Sequence, residues 1–199
     1  MDESTLIDLF VEDHAHEEFL RPLIRRLARE RGKTVIVNVR SARGGHGRAL
    51  SELDFYQKAV AKRPGGLVMP DLVVIGIDGN CQPHHTARKR MLARLSPAFR
   101  DKAVIACPAP HIERWFLADA HAFSSVVGVS PRVRKGKCQR DYYKTVLAQA
   151  VVDAGHVPTL GGIEFAREIV EAMDLYQAGK ADKSLKAFLD ELGAVFALP

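Results

Sequence analysis

The 199-residue sequence has no run of eighteen or more apolar residues, which excludes a transmembrane helix of the usual length. Its first stretch, MDESTLIDLF, is acidic where a secretory leader would be positive. Cysteine is scarce. Cys81, Cys107 and Cys138 are odd in number and far apart, which argues against a disulfide framework and for a reducing, cytoplasmic setting. Zinc is disfavoured as well: Cys81, His84 and His85 have no second close Cys/His pair beside them. His14 and His16 lie two apart, a spacing that does not put them on one helix face. There is no GxSxG elbow and no kinase signature, and Cys107 has no activating base in the sequence around it. The glycine-rich SARGGHGRAL and the later GKADKS both lack the Gly-Lys-Ser/Thr ending of a phosphate-cradling P-loop.

With 47% apolar and 27% charged residues, the chain has the composition of an ordinary globular domain with a real core. The net charge of +5 is unevenly spread. The first twenty residues carry seven acidic side chains and no Lys or Arg, whereas Arg21 to Arg48 carries nine basic residues against Glu30 alone. Basic stretches recur at Arg88 to Lys102 and Arg132 to Lys144, and the chain then turns acidic. Such alternation makes either a polyanion groove beside an acidic site or a set of solvated helix faces.

Four short β-branched runs read as strands: Leu6 to Val11, Thr34 to Val39, Asp71 to Ile77 and Ala103 to Pro108. Most lack clean alternation, as strands buried on both faces do. Helical patterns separate them: a stripe through Phe19, Leu20, Leu23, Ile24 and Leu27, a helix from about Gly47 to Lys62, and another from about His84 to Leu95. Strand–helix–strand repeated three times predicts an α/β fold with a mostly parallel sheet covered on both faces. After Pro108 the pattern is helical: a short helix at Ile112 to Phe116, one through Tyr143 to Ala154, one from about Ile163 to Tyr176, and one through Leu185 to Phe196.

In a parallel sheet, ligands bind in the crevice at the carboxyl ends of the strands. There the first strand ends in Glu12 and Asp13, the second in SARGGHG, and the third in Asp78, while the fourth leads to His111, Glu113 and Arg114. A carboxylate at the end of the first strand and another at the end of the third suit a shared Mg²⁺ or Mn²⁺, which keeps several waters and holds a phosphate as well. The same residues have structural readings. Glu12 can serve the helix dipole, and Asp13 and Asp78 can cap a helix or turn. Arg43 and His46 in the glycine-rich loop can hold a phosphate, or the loop is a plain connection. Trp115 and Phe116 read as core anchors.

FVEDHAHEEFLRPLIRRL, an acid-ended strand followed by an amphipathic helix, resembles the opening motif of Toprim domains, the topoisomerase–primase fold. IDGNC resembles their D-x-D region. CPAPHIERWFLAD is similar to the P-x-P-x-I-E-x-W-x-L-x-D signature of uncharacterised stand-alone Toprim-like proteins, several of them from phage-defence contexts and related in fold to overcoming-lysogenisation-defect type nucleases. CQRDYYKTVL and GGIEFAREIVEAMDL extend the likeness over nearly the whole chain. The resemblance implies a Rossmann-like core of about four mostly parallel strands over 1–120, with a helical extension over 121–199 packed on it.

It also implies Mg²⁺- or Mn²⁺-dependent phosphodiester chemistry on nucleic acid, DNA ahead of RNA, with a partner ATPase in some settings. On the matched positions, Glu12 is a general base or metal ligand, Asp78 a metal ligand, and Glu113 a third acid. Arg114, Lys137, Arg140 and Lys144 would hold phosphates. The departure from the pattern is Asn80, which stands where the second aspartate belongs and keeps an oxygen ligand but no charge. In the alternative register Gly76 and Asp78 occupy the two positions. The competing expectation is a binding module for nucleic acid, a nucleotide or a partner ATPase, without chemistry; a small-molecule phosphotransferase is a third.

Overall fold

The computed structural model describes residues 4–42, 44–62, 68–134, 138–139 and 141–198. The apolar runs form four strands: β1 (Thr5–Val11), β2 (Val35–Ser41), β3 (Leu72–Gly76) and β4 (Ala103–Ala106). They pair in parallel in the order β2-β1-β3-β4. β3 is buried at every position, which is why its sequence shows no alternation. β2 lies at the edge and alternates half-buried and exposed residues from Val35 to Asn38.

Successive side chains of β1 point to opposite faces. Ile7, Leu9 and Val11 join a core with α1 (His14–Glu30). Phe10 faces the other way and joins Val73 and Ile75 under α2 (His46–Lys62), α3 (His84–Arg94) and α4 (Pro97–Arg100). Asp8 shares that second face and is matched there. It accepts from Arg40 Nε at 2.9 Å and from the Tyr56 hydroxyl at 2.6 Å.

The C-terminal helices continue the α1 core. They are α5 (Glu113–Phe116), α6 (Ala120–Val127), α7 (Tyr142–Asp153), α8 (Ala166–Ala172), α9 (Leu175–Ala181) and α10 (Lys183–Phe196). Trp115 and Phe116 are fully buried in this core. The Trp115 ring stacks on Phe188 with centroids 5.6 Å apart, and its indole N–H donates to Ser184 Oγ at 2.9 Å. The core anchors are thus aromatic, with the one polar edge satisfied.

Three expectations are corrected. A single helix from Ile163 to Tyr176 does not form. A 3-10 turn at Ile163–Phe165 leads into α8, Met173 is extended, and Asp174 starts α9 by accepting from the backbone N–H groups of Tyr176 and Gln177. A short aspartate side chain that captures free backbone donors begins a new helix rather than continuing the old one. Secondly, α6 was not anticipated, although Asp119 caps its start and Gly128, at φ 99°, ends it. Thirdly, Cys81 and Cys138 are joined in a disulfide, their Cα atoms 5.6 Å apart across 57 residues of sequence. Cys107 is the odd one, free and buried, and burial pushes its thiol up to about 12. Among the described residues, no helix is long and apolar enough to cross a membrane.

Candidate active site

The chain crosses from β1 to β2 in one direction and continues from β3 to β4 in the other, so the strand order reverses between β1 and β3. That switch point leaves a crevice beyond the strand ends. Glu12 and Asp78 follow β1 and β3 into it and line one cavity with Asp13, His46, Asn80 and His111. The two acids are directly linked: the Asp78 backbone N–H donates to Glu12 Oε2 at 3.2 Å. His46 Nδ1 lies 3.3 Å from the same oxygen and 3.2 Å from the Asn80 amide nitrogen. The glycine-rich loop therefore delivers His46 to the carboxylates.

Asp13 caps α1, and its Oδ1 accepts from the His16 backbone N–H at 3.1 Å and meets His16 Nδ1 at 2.8 Å. The other ring nitrogen, His16 Nε2, reaches Asp78 Oδ1 at 3.2 Å. Asp78 Oδ1 also accepts from Ile112 N–H at 2.9 Å, and Asp78 Oδ2 meets His111 Nδ1 at 3.0 Å. The result is an alternating chain, Asp13–His16–Asp78–His111, running from the buried start of α1 to the crevice. Burial alone would lower the His16 pKa, but the Asp78 charge and the Asp13 bond override it and push it up to about 10. His16 is therefore an imidazolium at neutral pH. Burial would raise Asp13 and Asp78, but their imidazole partners hold both carboxyls below the usual range. The bond to Asp78 raises His111.

Two close approaches make this arrangement possible. A Cβ on Gly76 would lie 2.5 Å from Leu20 Cδ1 and 3.3 Å from His16 Cδ2, so a side chain there would push Leu20 aside and crowd the buried imidazole. In the alternative register Gly76 stands where the first aspartate is missing, and the close packing there favours glycine. A Cβ on Gly79 would come within 2.9 Å of the Pro108 carbonyl, to which Gly79 N–H donates at 2.7 Å. Asn80 and Cys81 follow in the left-handed region at φ 47° and 65°, a conformation that asparagine tolerates better than most residues. Cys81 is then tied to Cys138, which anchors this loop to the segment before α7.

The remaining expected residues separate. Lys144 lines the crevice. Arg114 does not face a phosphate position: its Nη1 donates to the Ala109 carbonyl at 2.8 Å and its Nε pairs with Asp182 at 2.7 Å. Glu113 is buried and lines a neighbouring cavity that shares Asp13 and Lys144 with the crevice. Arg43, Lys137 and Arg140 lie outside the described residues. The residue missed by sequence reasoning is His16. Its signal was the spacing Asp13-x-x-His16, which lets a cap aspartate hold a side chain at the third helical position.

Glu12, Asp78 and the Asn80 amide offer hard oxygen donors, the kind that Mg²⁺ or Mn²⁺ takes. Among the described residues, no three His, Cys, Asp or Glu side chains gather into a ready-made cage. The set fits an ion that keeps most of its own waters and does not fit a closed structural site. Asp78 retains acceptor capacity on Oδ2 for such an ion, and hydrogen-bonded carboxylates are common among metal ligands.

No curated protein and no solved structure matches the chain. The model of one family, described as a domain of unknown function (DUF4276), matches residues 11–193, and the chain belongs to that family.

Proposed function

We propose that the protein cleaves phosphodiester bonds of nucleic acid with the help of a divalent metal ion, Mg²⁺ or Mn²⁺, at the crevice between β1 and β3. The observation that carries this reading is the pair Glu12 and Asp78 at the switch point, linked through the Asp78 N–H and lining one open, polar cavity. Glu12, Asp78 and Asn80 would hold the ion, which when bound supplies Lewis-acid stabilisation of the phosphoryl group and a more acidic water. His16 holds Asp78 in place from below, and Ile112 N–H fixes the same carboxylate oxygen. Lys144 and His46 stand at the cavity for a phosphate. His111, oriented through Nδ1, leaves Nε2 as a proton carrier at the cavity wall.

A nuclease assay on DNA and RNA with Mg²⁺ or Mn²⁺ tests this. Glu12→Gln and Asp78→Asn should each lower cleavage by at least a hundredfold, about 2.7 kcal/mol of transition-state stabilisation. Wild-type cleavage that survives both changes would place the chemistry elsewhere.

A specific observation favours the second reading, a binding module for nucleic acid, a nucleotide or a partner ATPase. Both Asp78 oxygens already have partners, and position 80 carries no charge. That reading predicts metal-independent nucleic-acid binding that weakens steeply with salt, whereas salt-insensitive association would indicate a protein partner. Action in phage defence belongs to the same proposal and is tested by phage challenge of cells carrying the wild-type or Glu12→Gln gene.

A further inference from the structure

Residues 79–82 make a tight turn, closed by Gln82 N–H donating to the Gly79 carbonyl at 3.1 Å. Its two central residues, Asn80 and Cys81, both have positive φ, a turn geometry that glycine, asparagine and aspartate dominate. Asn80 fits that preference. Cys81 does not, because side chains outside those types are seldom tolerated in the left-handed region. A cysteine in a place suited to glycine points to a requirement for its sulfur, and that sulfur is bonded to Cys138.

The bridge spans the rim of the crevice. Cys81 lines the crevice beside Asn80, and Cys138 precedes α7, whose Lys144 lines it as well. Both cysteines are exposed. Both also line an open cavity of about 310 Å³ with Pro110, Arg114 and Tyr143, where a small thiol has room to approach. Exposed bridges are the labile and regulatory ones. Gly79 and Asn80 N–H donate to the carbonyls of Pro108 and Pro110 at 2.7 and 3.1 Å, which fixes the turn as far as Asn80 N–H. Beyond that point its shape depends on Cys81. On the other rim, Arg134 N–H donates to the Tyr142 hydroxyl at 2.6 Å, and the Gln139 carbonyl accepts from Tyr142 N–H at 3.1 Å. These bonds stay within their own rim. The bridge ties the two rims together.

We propose that Cys81–Cys138 is a thiol-operated latch on the crevice, closed when oxidised and open when reduced. A thiolate attacks one sulfur of the bridge to form a mixed disulfide, and a second thiol resolves it. The S–S bond breaks, and Cys81 and Cys138 each gain a proton. The electron pair comes from the two reductant thiols, which leave joined as a disulfide. Once freed, Cys81 returns to the ordinary backbone region. That turns the peptide it shares with Asn80 and draws the Asn80 amide from its place 3.2 Å from His46 Nδ1. Cys138 and the residues before it lift from the rim. The effect on a bound ion rests on the metal reading above; the latch does not.

Alkylation of the native full chain with iodoacetamide, before and after dithiothreitol and read by mass spectrometry, tests the first step. Cys81 and Cys138 should be protected before and labelled after, while buried Cys107 stays unlabelled in both and reports an intact fold. Reduction should speed amide hydrogen exchange about tenfold in residues 79–82 and 130–134. It should also weaken Mn²⁺ binding, followed by electron paramagnetic resonance without any cleavage, by about tenfold. Oxidised glutathione should reverse both changes, and Cys138→Ser should match the reduced wild type in either condition. Labelling of Cys81 and Cys138 without reductant, or a bridge that opens only after unfolding, would overturn the proposal. So would exchange or Mn²⁺ affinity that reduction leaves unaltered. Failure of Mn²⁺ to bind in either state would sink the metal reading of the crevice, and labelling and exchange would still decide the latch.

Discussion

Two buried carboxyl groups of this protein, Asp182 and Glu113, live in opposite conditions. Asp182 opens α10, accepts from the N–H groups of Ser184 and Leu185 and from Ser184 Oγ, and pairs with Arg114. Through Ser184 the same cluster reaches the Trp115 indole and the Ala109 N–H. Glu113, adjacent in sequence to Arg114, has Lys144 Nζ 3.8 Å from Oε1 and, among the described residues, no side-chain hydrogen bond. A carboxylate that gathers three donors on one oxygen and an arginine beside the other rigidifies the scaffold, whereas one with few partners is a cost that the fold carries. The C-terminal helices hold both kinds within one short motif, and the sequence PHIERW does not distinguish them.

The contrast breaks most directly at Asp182. Asp182→Ala should destabilise the protein by about 4 kcal/mol, combining a lost helix cap with lost charge-assisted hydrogen bonds. Urea unfolding measures it, and a loss below about 1 kcal/mol would remove the scaffold role. A second effect, smaller by one step, belongs to the crevice. Cys138→Ser frees the Asn80–Cys81 loop and should cost about 3 kcal/mol under oxidising conditions, mainly through the unfolded chain. Under reducing conditions variant and wild type should unfold together; a gap that persists in reductant would mean that Cys138 acts by packing.

The third effect is a pH dependence. His16 titrates near 10 in the folded protein and near 6.5 unfolded. Its contribution is complete below about pH 6.5 and is lost as the pH rises toward 10, because over that window the native state holds the extra proton. Asp13 and Asp78 are depressed, so their contribution stands above about pH 4 and is lost on acidification. Metal-free stability should therefore fall on the alkaline side, and His16→Gln should flatten that limb. An equally steep alkaline limb in the variant would assign the loss to another group. The smallest effect is at Glu113: Glu113→Gln should leave stability within about 1 kcal/mol of wild type, since its carboxyl holds far fewer partners than that of Asp182. A thermal melt showing a drop as large as that of Asp182→Ala would erase the contrast between the two acids.

Much of the fold was legible because it rests on local pattern. β3 was marked by uninterrupted apolar residues, α1 by its stripe from Phe19 to Leu27, and the crevice by acids that end two such runs. Glu12 and Asp78 could be paired from the sequence because parallel strands must bring their ends together. Contacts set by the third dimension were not legible. Cys81 meets Cys138 only where α7 packs against α5 beyond the end of β4. His16 looks like any helix-start histidine until Gly76 leaves room for it against β3. The break at Met173 depended on a local contest between helix continuation and the side chain of Asp174, which apolar periodicity does not report.

The strand pairing of β1 with β3 has one more consequence. Glu12 and Asp78 leave neighbouring strands whose separation, about 4.8 Å, is fixed by the backbone ladder of any parallel sheet. The spacing of the two strand ends is inherited from the main chain, while the Asp78 carboxylate, two residues beyond β3, is set by His16, His111 and Ile112 N–H. Substitutions at the crevice can therefore change charge and donor type while the strand ends keep their distance. A sheet of this order supplies a ruler on which different chemistries can be written by exchanging the residues that follow each strand.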